Sequence, residues 1–324
     1  MKKVIFTAIV GLLFVNGIWA QYGALPFLTE QIGARPIAIG GAYVGVADGP
    51  ETAFYNISGS AFFEQYKAFA SLVQLSIPSE SDDSDQNSTA ISIFAPVESL
   101  DGVIGLNLYY KDYGTSAQTN TEGDEVSSFS IYEMSIGATY AFKFQENLSL
   151  GFGVKYIYSH LFTESTGNAF ALDVGSIYFY DHMMSETMKA RLTVGLSLHN
   201  FGPKISYQDE DQSDDLPWLG RVGVSYKIDM TKIQSSMLFT TQLDKDLTPM
   251  TKISENYTYR FGGEYTFHET VFARCGYSYD TYDENDVFNW GFGFSHYNIR
   301  IDYARDSSNT LASGTDVFSI GYSF

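Results

Sequence analysis

The sequence is poor in the residues on which many small folds and most metal sites depend. Cys275 is its single cysteine, so no disulfide can form within the chain. The five histidines show no metal-ligand spacing such as H-E-x-x-H, which argues against a zinc site. No motif groups Ser, His and Asp into a catalytic triad either. We therefore predict neither an enzyme nor a bound cofactor or metal.

Basic residues are also scarce. Lys and Arg together number 19 against 38 Asp and Glu, which gives a formal net charge of -19. Binding to a phosphate backbone needs a basic face, so nucleic acid is excluded as a partner. Helical periodicity is hard to find, and no window after the first 20 residues predicts a transmembrane helix.

The N-terminus has the order of segments that is typical of a secretory signal peptide. Lys2 and Lys3 precede an apolar run from Val4 to Val15, and small or polar residues follow up to Ala20. We predict a signal peptide at 1–20 and a mature chain from Gln21. A retained membrane anchor is the less favoured alternative, because the apolar run is short.

What the chain has in abundance is aromatic residues and glycine, arranged with a period of two. Aromatic residues make up 16% of the sequence, and glycine occurs 29 times. In "NLSLGFGVKYIYS" (147–159), "KARLTVGLSLHN" (189–200) and "DVFNWGFGFSH" (286–296), one face is apolar and the other is mainly Gly, Ser, Thr and Asn. A soluble β-sandwich would carry more charge on its second face. The pattern therefore favours a transmembrane β-barrel, with a soluble all-β protein as the alternative.

We predict an all-β fold, a transmembrane antiparallel β-barrel that spans residues 66–324 with about fourteen strands, an even number as in bacterial barrels. The strands are predicted at 66–75, 88–95, 102–112, 127–142, 147–161, 168–180, 188–200, 217–228, 234–244, 256–267, 271–280, 287–296, 298–305 and 315–324. Long polar connections such as 113–126 and 201–216 alternate with short ones such as 143–146 and 268–270. Bacterial barrels place the long loops outside the cell and the short turns in the periplasm.

The segment 21–65 precedes the barrel and contains the glycine-rich stretch "GARPIAIGGAYVGVADGPETAFYNISG" (33–59). Its glycine spacing fits neither a dinucleotide-binding fingerprint nor a P-loop. Small residues allow close backbone packing in a confined space, so we interpret 21–65 as a hatch that folds into the lumen. A disordered periplasmic tail is the alternative. The hatch residues singled out are Arg35, Gly40, Gly41, Asp48, Asn56 and Gly59.

Strand alternation also places a set of charged side chains inside the barrel. We call this set the lumen charge network; its members are Glu133, Asp173, Arg191, Arg221, Arg260, Glu264, Arg274, Arg300 and Asp302. Opposite charges in a confined lumen pair with one another or stay hydrated. A structural network that fixes the hatch is favoured over a polar gate for a ligand. The acidic loop segments lack the ligand pattern of an EF-hand and are interpreted as solvated.

Several motifs resemble those of the PorV/PorQ-like outer-membrane proteins, relatives of the FadL long-chain fatty-acid transporters. The resemblance rests on Gly33-Ala34-Arg35, Gly40-Gly41-Ala42, Val46-Ala47-Asp48, Tyr55–Gly59, "LSLHNFGPKISY" (196–207), "LPWLGRVGVSY" (216–226), "GGEYTFHETVFARCGYSYD" (262–280) and "IRIDYA" (299–304). Two positions depart from the family pattern: Tyr55 replaces a Trp, and Ile57-Ser58 replaces Pro-Ala.

The resemblance implies a location in the bacterial outer membrane, in contact with its lipid, and two functions remain open. As a PorV-like protein, the chain would serve type IX secretion and meet the C-terminal domains of secreted cargo or other secretion components. As a FadL-like protein, it would transport a hydrophobic small molecule. The sequence by itself does not choose between them.

Overall fold

The computed structural model describes residues 25–63, 69–76, 87–119, 125–162, 165–207, 213–248, 257–281, 284–307 and 315–323. The predicted signal peptide 1–20, the start at Gln21 and the terminal Phe324 lie outside these residues. Within them, no helix is long and apolar enough to cross a membrane.

Sixteen antiparallel strands dominate the structure. They are β1 (Phe69–Ser76), β2 (Asn87–Val97), β3 (Gly102–Thr119), β4 (Glu125–Gln145), β5 (Leu148–Phe162), β6 (Ser165–Ser185), β7 (Met188–Phe201), β8 (Ile205–Ser206), β9 (Ser213–Asp214), β10 (Leu219–Met230), β11 (Ser235–Asp246), β12 (Tyr257–Phe267), β13 (Val271–Asp280), β14 (Asn285–His296), β15 (Ile299–Asp306) and β16 (Thr315–Ser323).

Strands β8 and β9 are two residues long, and the other fourteen form a closed ring. Each long strand pairs with its neighbour in sequence, β7 pairs with β10, and β1 pairs with β16. Every predicted strand overlaps one of these fourteen, so the predicted fold class is confirmed. The structure extends several strands beyond the prediction: β3 continues over 113–119 on the side of the long loops, and β4 and β6 are longer at both ends.

The two faces of the wall differ as alternation requires. The outward face carries large apolar side chains, and Leu106, Phe170 and Phe292 are each more than half exposed. In a soluble protein such a surface would be unfavourable, whereas hydrocarbon accommodates it. Short turns connect the strands at one end of the barrel, and the long connections lie at the other.

The described part of the hatch, Leu25–Phe63, lies in the lumen and is mostly buried. It contains short helices at Ala34–Ala38 and Thr52–Tyr55 and 3-10 turns at Pro26–Thr29 and Ile57–Phe62. Gly33 precedes the first helix with a φ of 98°, and Gly40 and Gly41 end it with φ of 68° and 76°. Only glycine adopts these left-handed conformations without strain, so the glycine-rich motif sets the path of the hatch.

Lumen-facing glycines of the wall form the seat of the hatch. At each of them an added Cβ atom would lie no more than 3.5 Å from a backbone atom of the hatch. We call this set the glycine belt; it consists of Gly151, Gly175, Gly195, Gly223, Gly262 and Gly276. The belt residues belong to six strands, β5, β6, β7, β10, β12 and β13. The small residues on the inner face therefore admit the hatch backbone into contact with the wall.

Candidate functional site

Arg35 of the hatch is the centre of the largest charge cluster. Its side chain is 7% exposed, and it donates through Nε to Glu264 Oε2 (2.9 Å) and through Nη2 to Glu264 Oε1 (3.0 Å). It also forms an ion pair with Asp48, another hatch residue, and its guanidinium lies 5.6 Å from the centre of the Tyr43 ring. Arg35 therefore joins two parts of the hatch to strand β12.

The cluster continues along the wall. Arg274 of β13 donates to Glu264 (2.5 Å) and to Asp302 (2.8 Å), and Arg300 donates to the other oxygen of Asp302 (2.8 Å). The carboxylates of Glu264 and Asp302 are almost fully buried. Each of them contacts more than one cation, which compensates for the loss of hydration that burial imposes.

A second cluster surrounds Asp244 of β11. Arg260 donates to its carboxylate at 2.7 Å, and Arg221 lies 3.9 Å from the same oxygen. Both arginines also donate to hatch carbonyls: Arg260 to Gly40 O (3.2 Å) and Arg221 to Phe54 O (3.1 Å). These two members of the lumen charge network therefore hold the hatch through its backbone.

A third contact involves Asp173 of β6. Its carboxylate pairs with Lys155 (2.9 Å), lies 3.6 Å from His199 Nδ1 and accepts from the backbone N–H of Asn200 (2.8 Å). The other ring nitrogen of His199 donates to the carbonyl of Tyr55 in the hatch (2.7 Å). Asp173 thus reaches the hatch through neighbours that it positions: His199, and Asn200, whose Nδ2 donates to Leu28 O (3.4 Å).

Two predicted network residues, Glu133 and Arg191, belong to none of these three clusters in the described part of the chain. Glu133 accepts from Tyr113 (2.7 Å) and Ser159 (3.1 Å) of the wall. Arg191 pairs with Asp181 at 2.6 Å near the short turns, where both side chains are about half exposed. Alternation gives the face of a strand on which a residue lies but not its depth in the lumen.

The hatch glycines and Asn56 have steric and hydrogen-bonding roles. Asn56 is fully buried; its Nδ2 donates to Val44 O and to Ser176 O of the wall (both 3.1 Å), and its Oδ1 accepts from Ser58. A Cβ atom at Gly59 would collide with Ala47. Gly40 and Gly41 provide the left-handed turn described above. Asn56 therefore links two hatch segments to strand β6.

The pKa values of the hatch ion pair favour the charged forms. Burial acts to lower the pKa of Arg35, but Asp48 and Glu264 outweigh it and raise the pKa well above its ordinary value. Asp48 is half-exposed towards the cavity inside the lumen; its partial loss of hydration acts to raise its pKa, but the Arg35 guanidinium outweighs this effect and lowers the pKa. Both groups are therefore ionised at neutral pH, and the pair is intact there.

Three anchors of the hatch were not singled out in the sequence: Asp244, His199 and Glu30. Glu30 accepts from Lys111 Nζ (2.8 Å) and from the Tyr109 hydroxyl (2.5 Å). Asp244 lies on the inward face of β11, so strand alternation could have identified it. Nothing in the sequence marks Glu30, because its partners belong to a strand that lies about 80 residues further along the chain.

The half of the lumen nearer the long loops contains an apolar chamber filled by the first described residues of the chain. Phe27 is fully buried and stacks on Tyr109 with ring centres 5.7 Å apart. Leu25 and Phe27 belong to one apolar cluster with Ile205 and Leu216, which lie in the connection from β7 to β10. The chamber is therefore mainly apolar, with the Glu30–Lys111 ion pair at the Tyr109 hydroxyl, whereas the Arg35 cluster holds the opposite half of the hatch.

A polar cavity of about 340 Å³ lies between the hatch and the end of the barrel that carries the short turns. Arg35, Asp48, Glu264 and Arg300 line it together with residues of β10 and β11. The main ion cluster therefore faces this cavity. A closed fourteen-stranded barrel with an apolar outer face and a lumen plugged by its own N-terminal segment defines the class: a plugged outer-membrane β-barrel.

The comparison with known families places the chain within this class. The family model described as "Type IX secretion system protein PorV" matches residues 24–252, so the chain belongs to the PorV family. It is an outer-membrane protein, and by the general rule for bacterial barrels its short turns face the periplasm. No curated protein sequence matches the chain significantly.

Solved structures resemble the chain in fold. The toluene transporter TbuX of Ralstonia pickettii has a TM-score of 0.52 and 11% identity over 92% of this chain and 99% of that chain. The toluene transporter TodX of Pseudomonas putida has a TM-score of 0.49 and 11% identity over 95% and 98% of the two chains. A Pseudomonas aeruginosa FadL homologue has a TM-score of 0.47 and 12% identity over 95% and 99%. The likeness to TbuX shows a shared fold.

Proposed function

We propose that this protein is a plugged, non-enzymatic component of type IX secretion that handles the C-terminal domains of secreted cargo at the cell surface. Membership of the PorV family supports the pathway. The observation that carries the mode of action is the glycine belt: the hatch backbone contacts six strands of the wall directly. A lumen filled in this way does not suit a permanently open channel. We therefore assign the handling of cargo to the outer rim of the barrel, at the end of the long loops.

A deletion strain of an organism that has type IX cargo tests this proposal. We expect cargo with a sorting domain to accumulate in the periplasm of the deletion strain and to reach the surface again when the wild-type gene is restored. Secretion through other pathways and the abundance of an unrelated outer-membrane barrel are the controls. Normal display of type IX cargo in the deletion strain would overturn the proposal.

Transport of a hydrophobic small molecule is the second candidate, and the apolar chamber around Phe27 favours it. The chamber accepts an aromatic and aliphatic segment of the chain itself, so its walls suit an apolar ligand. TbuX, which shares the fold, is a toluene transporter. Uptake of labelled toluene by the same deletion strain separates the candidates: reduced uptake with normal cargo display favours transport, and the reverse result favours secretion.

A further inference from the structure

Glu51 of the hatch is a buried carboxyl group without a cationic partner among the described residues. The residue is 4% exposed, and within the described part of the chain it forms no ion pair. The three carboxylates in the neighbouring cluster, those of Asp48, Glu264 and Asp302, each pair with at least one arginine. The charge of an ionised Glu51 would therefore be the least compensated one in this region.

The seat of Glu51 leaves little room for rearrangement. Its Cγ lies 2.5 Å from the position that a Cβ of Gly33 would take, and its Oε2 and the Tyr43 hydroxyl each lie 2.9 Å from the position of a Cβ at Gly49. The charged and titratable groups that face it are Arg35, Tyr43 and Tyr55 from the hatch and Arg300 and Asp302 from β15. Both arginines are already bonded to other carboxylates.

These surroundings favour the protonated form of Glu51. Burial is the larger cause and Asp302 the next, and together they raise the pKa of Glu51 above its ordinary value. Docking raises the pKa of this carboxyl group, so its protonated form stabilises the docked state. The stabilisation is complete at pH values below the ordinary glutamate pKa. That contribution is lost as the pH rises through the raised pKa.

We propose that Glu51 is a proton-dependent latch: the hatch docks most firmly while Glu51 is neutral, and ionisation of Glu51 loosens the hatch from the wall. Ionisation places a second negative charge opposite Asp302 in a confined space without adding a cation. The periplasmic cavity adjoins the same cluster through Arg35 and Arg300, so protons can reach the region from that side. The latch goes beyond the proposed function, since it concerns the hatch regardless of what the barrel handles.

Conductance of the purified full-length protein in planar bilayers, recorded from about pH 5 to about pH 8, tests the latch. In the wild type we expect openings to become more frequent as the pH rises, by up to about tenfold for each unit by which the pKa is raised. Glu51→Gln, which cannot ionise, should stay closed across the range. The matched control is Glu186→Gln, which changes an exposed carboxyl group in the turn between β6 and β7 and should behave as the wild type.

His199 also contacts the hatch, but an imidazole gains its charge as the pH falls, whereas Glu51 gains its charge as the pH rises. An unchanged rise of openings with pH in Glu51→Gln would overturn the proposal, as would a wild type that does not respond to pH. If Glu51→Gln fails to fold, difference infrared spectroscopy of the wild type labelled with ¹³C-glutamate tests the same point, because it detects the protonated carboxyl group directly. A protonated glutamate carboxyl signal that disappears as openings increase supports the latch, and its absence at every pH overturns it. Cargo display is read separately, so failure here leaves the proposed function standing.

Discussion

Replacing Arg35 by Ala should loosen the hatch without unfolding the barrel. The side chain is the one that joins both the Asp48 segment of the hatch and the hatch helix to Glu264 of the wall. The barrel itself depends on a closed ladder of strand pairs, which the substitution does not touch. The effect should therefore be confined to the equilibrium between the docked and the released hatch.

The magnitude follows from the partners that remain. Two charge-assisted hydrogen bonds to Glu264 are lost, each worth about 1.5–3 kcal/mol. Glu264 keeps Arg274 at 2.5 Å, so it is not left as an isolated buried charge. The Asp48 side chain is 53% exposed and regains water, so its pair adds little. We expect docking to weaken by about 3 kcal/mol, which is more than a hundredfold in the equilibrium constant.

Single-channel recording in planar bilayers measures this change as the frequency of open events. Arg191→Ala is the matched control, because Arg191 is also a lumen arginine in an ion pair with an aspartate but does not bond to the hatch. Exposed pairs of this kind contribute about 0–1 kcal/mol, so the control should resemble the wild type. Heat-modifiable gel mobility confirms that the barrels of both variants are folded.

Equal conductance of the wild type, Arg35→Ala and Arg191→Ala would contradict this reasoning. The contradiction would be complete if protease also cleaved the wild-type hatch in the folded protein. The segment would then be accessible in solution rather than held by the charges of the wall.

Three further predictions concern the same interface. A Cβ atom at Gly276 would collide with the hatch, whereas one at Gly263 meets nothing closer than 3.8 Å. Protease should therefore cleave the hatch of the folded Gly276→Ala variant but not that of the control, Gly263→Ala. Asn56→Ala removes the hydrogen bonds to Val44 O and Ser176 O, so we expect docking of the hatch to weaken by about 1–3 kcal/mol. Amide hydrogen exchange in the hatch should become faster, while the melting temperature of the barrel stays unchanged. Because the pKa of Asp48 is lowered in the docked state, its contribution is lost as the pH falls through that value. Acid below the ordinary aspartate pKa of about 4, outside the range in which Glu51 is tested, should therefore open the wild type more often, and Asp48→Asn should not show this additional rise.

The barrel could be predicted from the sequence because lipid imposes one rule on every strand. Each outward position must be apolar, so the alternation repeats along the chain and marks all fourteen long strands. The two-residue strands β8 and β9 were missed, since they are too short to alternate and form only where β7 leaves the wall.

The candidate site was harder to predict because alternation carries no information on depth or partners. Arg221 and Arg191 have the same pattern in the sequence, yet one donates to a hatch carbonyl and the other pairs with Asp181 near the periplasm. The lumen glycines were assigned correctly to the inner face. Their direct contact with the hatch depends on the folded path of Leu25–Phe63, which no local pattern specifies.

The glycine belt ties the folding of the hatch to that of the wall. The hatch backbone touches the wall on six strands, which range from β5 to β13 along the chain. No single strand or hairpin therefore offers the whole seat. The docked conformation of the hatch cannot be complete before these strands are assembled, although the hatch comes first in the sequence.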